Sequence, residues 1–287
     1  MILILGSNGM LGSEIVKYFR TKNVDIITSD IKGDCDYKID ITNYYDIYNV
    51  SKDNNVSLII NCVAWTNVDD AEDLENKEQV DQLNIVGVKN IVKVCEELGC
   101  ILMHFSTDYV FDGSGDIPWK ENDDRKYPLN YYGKTKLESE RIIERLEKYF
   151  VLRLQWLYGK NGKNFVATMI NLSKKFKEVR VVDDQIGTPT YAVDVAKAVY
   201  EIINTDKYGY YHLANEGGYI SWYEFCKYIY EMIGANTEVI PVSSNDYKTK
   251  AIRPMNSRLC LDKYKKSGFS KMPIWQDALK SFLSEIV

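Results

Sequence analysis

The sequence predicts an α/β fold: a doubly wound, mostly parallel Rossmann sheet followed by a smaller C-terminal substrate-binding α/β cap domain. Two observations carry this. Short apolar runs alternate with longer amphipathic ones over the first half of the chain, and a glycine-punctuated turn, GSNGMLG, follows the first of those runs. MILIL, VDIITSD, VSLIINCVA, CILMHFSTDYVF and YFVLRLQWLYG read as buried strands, rich in Ile, Val, Leu and aromatics. Between them SEIVKYFRTK, NIVGVKNIVKVCEELG and TKLESERIIERLEKY carry helical periodicity, and Gly99 stands where a helix should end. Repeated alternation of this kind requires parallel strands joined by right-handed crossovers.

After about residue 157 the rhythm changes. NFVATMINLSKKF reads as a helix, VRVVDD as a strand, AVDVAKAVYEIIN as a helix, YYHLA as a short strand and SWYEFCKYIYEMIG as a helix. That is too little alternation to extend the same sheet far. Residues 1–157 are therefore expected to form a dinucleotide-binding domain. Residues 158–287 are expected to form a substrate-binding domain over the carboxyl ends of the strands, with the helix near 191–204 packed back on the first.

Composition excludes several classes of function. The 287 residues are 45% apolar and 27% charged, ordinary values for a soluble globular protein. A net charge of -5 without a basic stripe argues against a nucleic-acid partner. The six cysteines contain no C-x-x-C and only two histidines accompany them, so no zinc pattern is supported and a reducing cytoplasm fits best. The N-terminal apolar run breaks at Gly6, too short for a signal peptide, and no segment is long enough to span a membrane.

Three constellations carry chemistry. Gly6, Gly9 and Gly12 follow a strand and open a helix, meeting the need for a tight turn and a close approach of backbone to a pyrophosphate. Asp30 ends the second strand, where a carboxylate binds adenosine ribose hydroxyls and disfavours a 2′-phosphate, with Lys32 nearby to soften that preference. Tyr132 and Lys136 are spaced i, i+4 and share a helix face, so the ammonium is expected to lower the phenol's pKa for acid–base work. Ser106, Thr107 and Asp108 follow the strand ILMHF, placing a hydroxyl at a carboxyl end to bind a carbonyl oxygen; the bland alternative is a turn or cap. His104, inside that strand, and His212 read as packing residues. Together these features suggest hydride transfer to or from a carbonyl. Arg253, stiffened by Pro254, is the best candidate to meet a substrate diphosphate, with a surface salt bridge as its alternative.

The chain resembles the dTDP-4-dehydrorhamnose reductase family of the extended short-chain dehydrogenase/reductase superfamily. The likeness runs through GSNGMLG, NCVAWTNVDDAE, STDYVFDG, PLNYYGKTK, LRLQWLYG, Asn164-Phe165, DDQIGTPT, HLANEGGYISWYEF and RPMNSRLCLD. It implies reduction of the C4 ketone of a dTDP-activated 6-deoxyhexose, the last step to dTDP-L-rhamnose, with NADH or NADPH. By the resemblance Thr107, Tyr132 and Lys136 are the catalytic trio. Gly9, Met10, Leu11, Asp30, Asp40, Ile41, Ala64, Trp65 and Thr66 line the cofactor, and Thr107, Asp108, Trp156 and Asn164 meet the substrate. Gln155 and Glu138-Ser139-Glu140 depart from the family's usual residues. Some members join subunits through magnesium held by glutamates; Glu14 fits one such position but Val193 occupies the other, so no metal is expected. A homodimer is compatible with the family. Two other readings share the motifs: a nucleotide-sugar epimerase or dehydratase that regenerates its own NAD, and a non-catalytic regulatory subunit of the kind that accompanies methionine adenosyltransferase.

Overall fold

The computed structural model describes residues 1–286. The first half alternates as the sequence predicts: β1 (Ile2–Leu5), α1 (Met10–Thr21), β2 (Ile26–Asp30), β3 (Tyr37–Lys38), α2 (Tyr44–Asp53), β4 (Leu58–Asn61), α3 (Lys77–Asp81), α4 (Gly87–Leu98), β5 (Ile101–Thr107), α5 (Tyr131–Ile143) and β6 (Tyr149–Leu154). The remainder comprises β7 (Leu157–Tyr158), α6 (Phe165–Ser173), β8 (Glu178–Val182), β9 (Ile186–Gly187), β10 (Thr190–Tyr191), α7 (Ala192–Ile203), β11 (Gly209–Leu213), β12 (Ile220–Ser221), α8 (Trp222–Ile233), β13 (Glu238–Val242), α9 (Asp262–Lys266) and α10 (Trp275–Ile286).

Seven strands form one sheet in the order β11-β6-β5-β4-β1-β2-β3, and every pair in it is parallel. The period-2 alternation of a strand sends neighbouring apolar side chains to opposite faces. Ile4, Ile60, Met103 and Leu152 pack with Ile15 and Phe19 of α1 and Val195 and Val199 of α7. Leu3, Leu5, Ile59, Leu102 and Val151 pack on the other side with Ile47, Ile91 and Ile142 of α2, α4 and α5. Both faces are thus covered, which is why these strands read as nearly unbroken apolar runs. Gly99 ends α4 with φ 70° in the left-handed region, the role its position in the sequence predicts.

The sheet does not stop at residue 157. YYHLA supplies β11, which pairs with β6 and adds a seventh strand, while α7 packs against α1. The reason is geometric: β6 would otherwise present an open edge, and a right-handed crossover through α7 delivers the chain to it. A further apolar cluster is built by Val166 and Ile170 of α6, Phe225 and Ile229 of α8, and Leu279 and Phe282 of α10. Beside it β8 and β13 pair in parallel. The order of strands reverses between β1 and β4, so their carboxyl ends flank a crevice, the usual ligand position in such sheets.

Candidate active site

The glycine turn between β1 and α1 is fixed by its own backbone. Gly6 has φ 78°, and the Gly6 and Ser7 amides donate to the Ser29 carbonyl at 2.9 and 3.0 Å. A Cβ at Gly12 would collide with the Gly6 carbonyl oxygen, so the helix starts hard against the turn. Helix α1 has no side-chain cap and no acidic residue in its first turn. Its open N-terminus, with Gly9 letting the backbone be approached closely, fits an anionic pyrophosphate. Asp30 accepts from the Asn8 amide at 3.0 Å and the Lys32 amide at 3.4 Å, holding its carboxylate at the end of β2 beside the turn.

A cavity of about 620 Å³ lies between this edge of the sheet and the apolar cluster of α6, α8 and α10. Gly9, Met10, Leu11, Ala64, Thr66, Thr107, Asp108, Tyr132, Lys136, Trp156 and Arg253 all stand on its wall, so the structure brings together most of the residues singled out in the sequence. Others stand off the wall. Gly6, Gly12 and Asp30 shape the turn. Asp40 is exposed and accepts from the Thr42 amide and hydroxyl, and Ile41 is buried against Gly87. Trp65 is held through its amide by the buried Asn84 at 2.8 Å. Asn164 caps α6, accepting from the Ala167 amide at 3.0 Å and donating to the Gly159 carbonyl at 2.8 Å, so its side chain serves the helix rather than the cavity.

The parallel pairing of β4, β5 and β6 sets the chemical groups in register. Thr107 ends β5, and its hydroxyl accepts from the Tyr109 amide at 3.2 Å and meets Asp108 Oδ1 at 3.1 Å; it caps a 3₁₀ turn and also lies beside the Tyr132 phenol. Burial lifts the Asp108 carboxyl to about 7, against hydrogen bonds from Ser257 and Thr107. The other carboxylate oxygen, Asp108 Oδ2, has no hydrogen-bond partner among the described residues, nor do the wall groups Ser106 Oγ and Gln155 Nε2. Buried polar atoms left this way are ready to meet a polar ligand.

Tyr132 begins α5, whose first turn is capped by Asn130 through a 2.8 Å bond to the Gly133 amide. Its phenol does not behave as the i, i+4 spacing predicts. Burial and then the Asp108 charge push its pKa well up, against an opposing pull from Thr107, so at neutral pH it is fully protonated. The bonds of Lys136 go elsewhere: Nζ donates to the Phe105 carbonyl at 2.7 Å and meets His104 Nε2 at 2.9 Å. Burial brings the lysine down to about 8, opposed by Glu140. His104 is therefore a polar partner of the site, not a packing residue. Asn61, on the same wall, was signalled only by standing at the end of the apolar run LIIN. His212 bridges the Trp119 carbonyl and Arg153 at 3.1 Å each, remote from the cavity wall.

The far wall is aromatic. Trp156 stacks on Trp222 with ring centroids 3.6 Å apart at 15°, and Phe165 lies against Trp222 at 4.5 Å. Trp156 holds φ 46°, a left-handed conformation that a non-glycine residue adopts only when its surroundings impose it. Gly187 leaves space for the indole, since a Cβ there would lie 2.7 Å from it; the motif DQIGTPT thereby makes room for the ring. Gln155 accepts from the Thr188 amide at 3.0 Å and ties the same segment down. Arg253 and Lys163 add cations to the wall. Among the described residues no group of His, Cys, Asp and Glu is placed to hold a metal ion, and no helix is long and apolar enough to cross a membrane.

The family model for the RmlD substrate binding domain matches residues 1–287. The chain is 34% identical to the dTDP-4-dehydrorhamnose reductase of Escherichia coli over 99% of its own length and 97% of that protein's. It superposes on the crystal structure of a dTDP-4-dehydrorhamnose reductase from Clostridium acetobutylicum with TM-score 0.93 and 37% identity, covering 99% of both chains. The dTDP-4-dehydrorhamnose reductase of Bacillus anthracis, solved in complex with NADP, matches with TM-score 0.92 and 36% identity over 99% of this chain and 98% of that one.

Proposed function

Because the chain belongs to the RmlD substrate-binding family, that of the dTDP-4-dehydrorhamnose reductases, we propose that it reduces the C4 ketone of dTDP-4-dehydrorhamnose with NADPH or NADH. The enzyme is an NAD(P)H-dependent oxidoreductase on a Rossmann sheet. The observation that carries the reading is the meeting of Thr107, Tyr132 and Lys136 with the open N-terminus of α1 in one cavity.

When bound, the nicotinamide cofactor supplies the hydride, and the chain's residues do the rest. Tyr132, held protonated by its burial, gives its phenolic proton to the sugar oxygen as negative charge builds there. The Thr107 hydroxyl beside it orients that oxygen. Lys136, held by His104 and the Phe105 carbonyl, would support the nicotinamide ribose. Gly9, Met10 and Leu11 hold the pyrophosphate at the turn, Asp30 meets the adenosine ribose, and Ala64 and Thr66 complete that wall. Asp108 and Trp156 hold the sugar, and Arg253 its diphosphate.

The division into a dinucleotide-binding and a substrate-binding part is supported by the separate apolar cluster of α6, α8 and α10, with α7 and β11 returned to the first. We read the chain as a cytoplasmic protein without nucleic-acid or membrane partners, which its charge of -5 and six free thiols support, and as a candidate homodimer. The test is to incubate the protein with NADPH or NADH and dTDP-4-dehydrorhamnose, following absorbance and product configuration. Loss of one reduced cofactor per sugar consumed is expected. Sugar conversion without net cofactor loss would instead make it an epimerase or dehydratase.

A further inference from the structure

Three buried side chains beneath the cavity form a hydrogen-bond chain whose donors and acceptors fit only one protonation state. The pairing of β4 with β5 sets Asn61 opposite His104, and both are 1% exposed. Asn61 Oδ1 accepts from the Val63 amide at 3.0 Å, which leaves its Nδ2 facing His104 Nδ1 at 3.1 Å. An amide nitrogen only donates, so Nδ1 is the acceptor and a neutral ring carries its proton on Nε2. That nitrogen meets Lys136 Nζ at 2.9 Å. A ring N–H aimed at a nitrogen needs a lone pair there, so this arrangement suits Lys136 as a neutral amine.

An ammonium at Lys136 requires the reverse. Nε2 must accept, the ring proton must sit on Nδ1, and Asn61 must turn its carbonyl toward the ring, giving up its bond from the Val63 amide. We infer that gain of a proton at Lys136 is coupled to a shift of the His104 proton from Nε2 to Nδ1 and to rotation of the Asn61 amide. Asn61, Val63 and Lys136 all stand on the cavity wall, so the proton on Lys136 is registered in the shape and polarity of that wall.

The surroundings keep the equilibrium in the working range. Burial, then the charge of Lys136, holds His104 well below its usual pKa, so the ring stays neutral. Burial lowers Lys136 to about 8. The charges facing the pair are few. Glu140 lies one turn along α5, with its carboxylate held by Arg153 and Arg125. Strand β6 places Val151 opposite His104, the Cys62 thiol follows the end of β4, and Tyr132 and Asp108 share the cavity side.

Imidazole ¹⁵N spectra of the cofactor-free protein test this, because the chain holds only two histidines and a His104→Gln variant assigns them. Between about pH 6 and about pH 10, the range spanning an ordinary histidine and an ordinary lysine, the protonated nitrogen of His104 should move from Nδ1 to Nε2. Asn61→Asp supplies a carboxylate that accepts from both Nδ1–H and the Val63 amide, so it should lock the Nδ1–H tautomer. Lys136→Met removes the titrating partner and should lock Nε2–H. If a variant fails to fold, the wild-type titration alone decides. One unchanging tautomer, or an imidazolium, would overturn the coupling. The functional consequence rests on the proposed role of Lys136 and has its own readout: in Asn61→Asp the midpoint of the kcat–pH profile should move to higher pH. A tautomer shift without that move would sustain the coupling and overturn the role given to Lys136.

Discussion

Arg253 grips Asp69 with both terminal nitrogens, Nη2 to Oδ2 at 2.6 Å and Nη1 to Oδ1 at 3.2 Å, so the loop after β4 fixes a cation on the cavity wall. The salt-bridge and ligand-binding readings of this arginine are therefore not exclusive. Burial pushes the Asp69 carboxyl up, but the hydrogen bonds from Arg253 and the Ala251 amide outweigh it and leave the group below its usual value.

Arg253→Ala should raise the KM for the nucleotide sugar roughly ten- to hundredfold, the range of about 1.5–3 kcal/mol for a hydrogen bond to a charged group. Cofactor Kd should not change. Asp69→Asn keeps the cation but loosens its aim, and should raise KM less. Steady-state kinetics with titration of the cofactor separate these results, and an unchanged KM in Arg253→Ala would leave it a structural residue.

Glu140 and Arg153 are both fully buried and joined by two bonds of 2.9 Å. Burial raises the Glu140 carboxyl, yet the charge and hydrogen bonds of Arg153, with a further bond from Arg125, bring it below its ordinary value. A carboxylate depressed in the folded state contributes stability that is complete above its unfolded pKa and lost as pH falls through its folded value. Glu140→Gln leaves Arg153 unpaired and should cost about 3–5 kcal/mol at neutral pH by urea unfolding. It should also remove part of the acid sensitivity below about pH 4 seen in the parent. The double variant Glu140→Leu with Arg153→Met should lose less than the single one.

Gly12→Ala places a methyl group against the Gly6 carbonyl oxygen. The turn must open, at about 1–3 kcal/mol of overpacking, and cofactor Kd should rise while the aromatic wall near Trp222 keeps its near-ultraviolet circular dichroism. Tight cofactor binding by this variant would contradict the role of the turn.

These glycines are legible in the sequence because a tight turn restricts residue type locally. So is the alternation up to β6, since a sheet covered on both faces leaves continuous apolar runs. The destination of YYHLA is not legible: five residues cannot state which sheet edge they join, and the open edge of β6 decides it. His104 is disguised by the apolar strand around it, and its partner Asn61 lies 43 residues away. The Tyr132–Lys136 spacing predicts a shared helix face, and both residues do stand on one cavity wall, yet the lysine bonds to His104 because that buried ring and the Phe105 carbonyl offer it partners. Asn164 shows the converse, a motif residue occupied by a helix cap.

The Asn8 and Lys32 amides hold the Asp30 carboxylate at the end of β2, where the proposed reading has it meet the adenosine ribose and disfavour a 2′-phosphate. The wild-type protein should prefer NADH or use both cofactors, and Asp30→Ser should raise kcat/KM for NADPH relative to NADH about tenfold, worth about 1.4 kcal/mol. A wild-type preference for NADPH above about tenfold would show that Lys32 or another cation governs this subsite.

The most direct test is Tyr132→Phe, assayed for reduction of dTDP-4-dehydrorhamnose alongside cofactor affinity. The variant removes one hydroxyl, the proposed proton donor, from a side chain on the cavity wall. With Tyr132 as the acid, kcat should fall by at least about 10² while cofactor Kd stays within about twofold, since general acid catalysis supplies 10²–10⁴-fold. A variant retaining more than about a tenth of the parent kcat would contradict the assignment and place the proton elsewhere in the cavity.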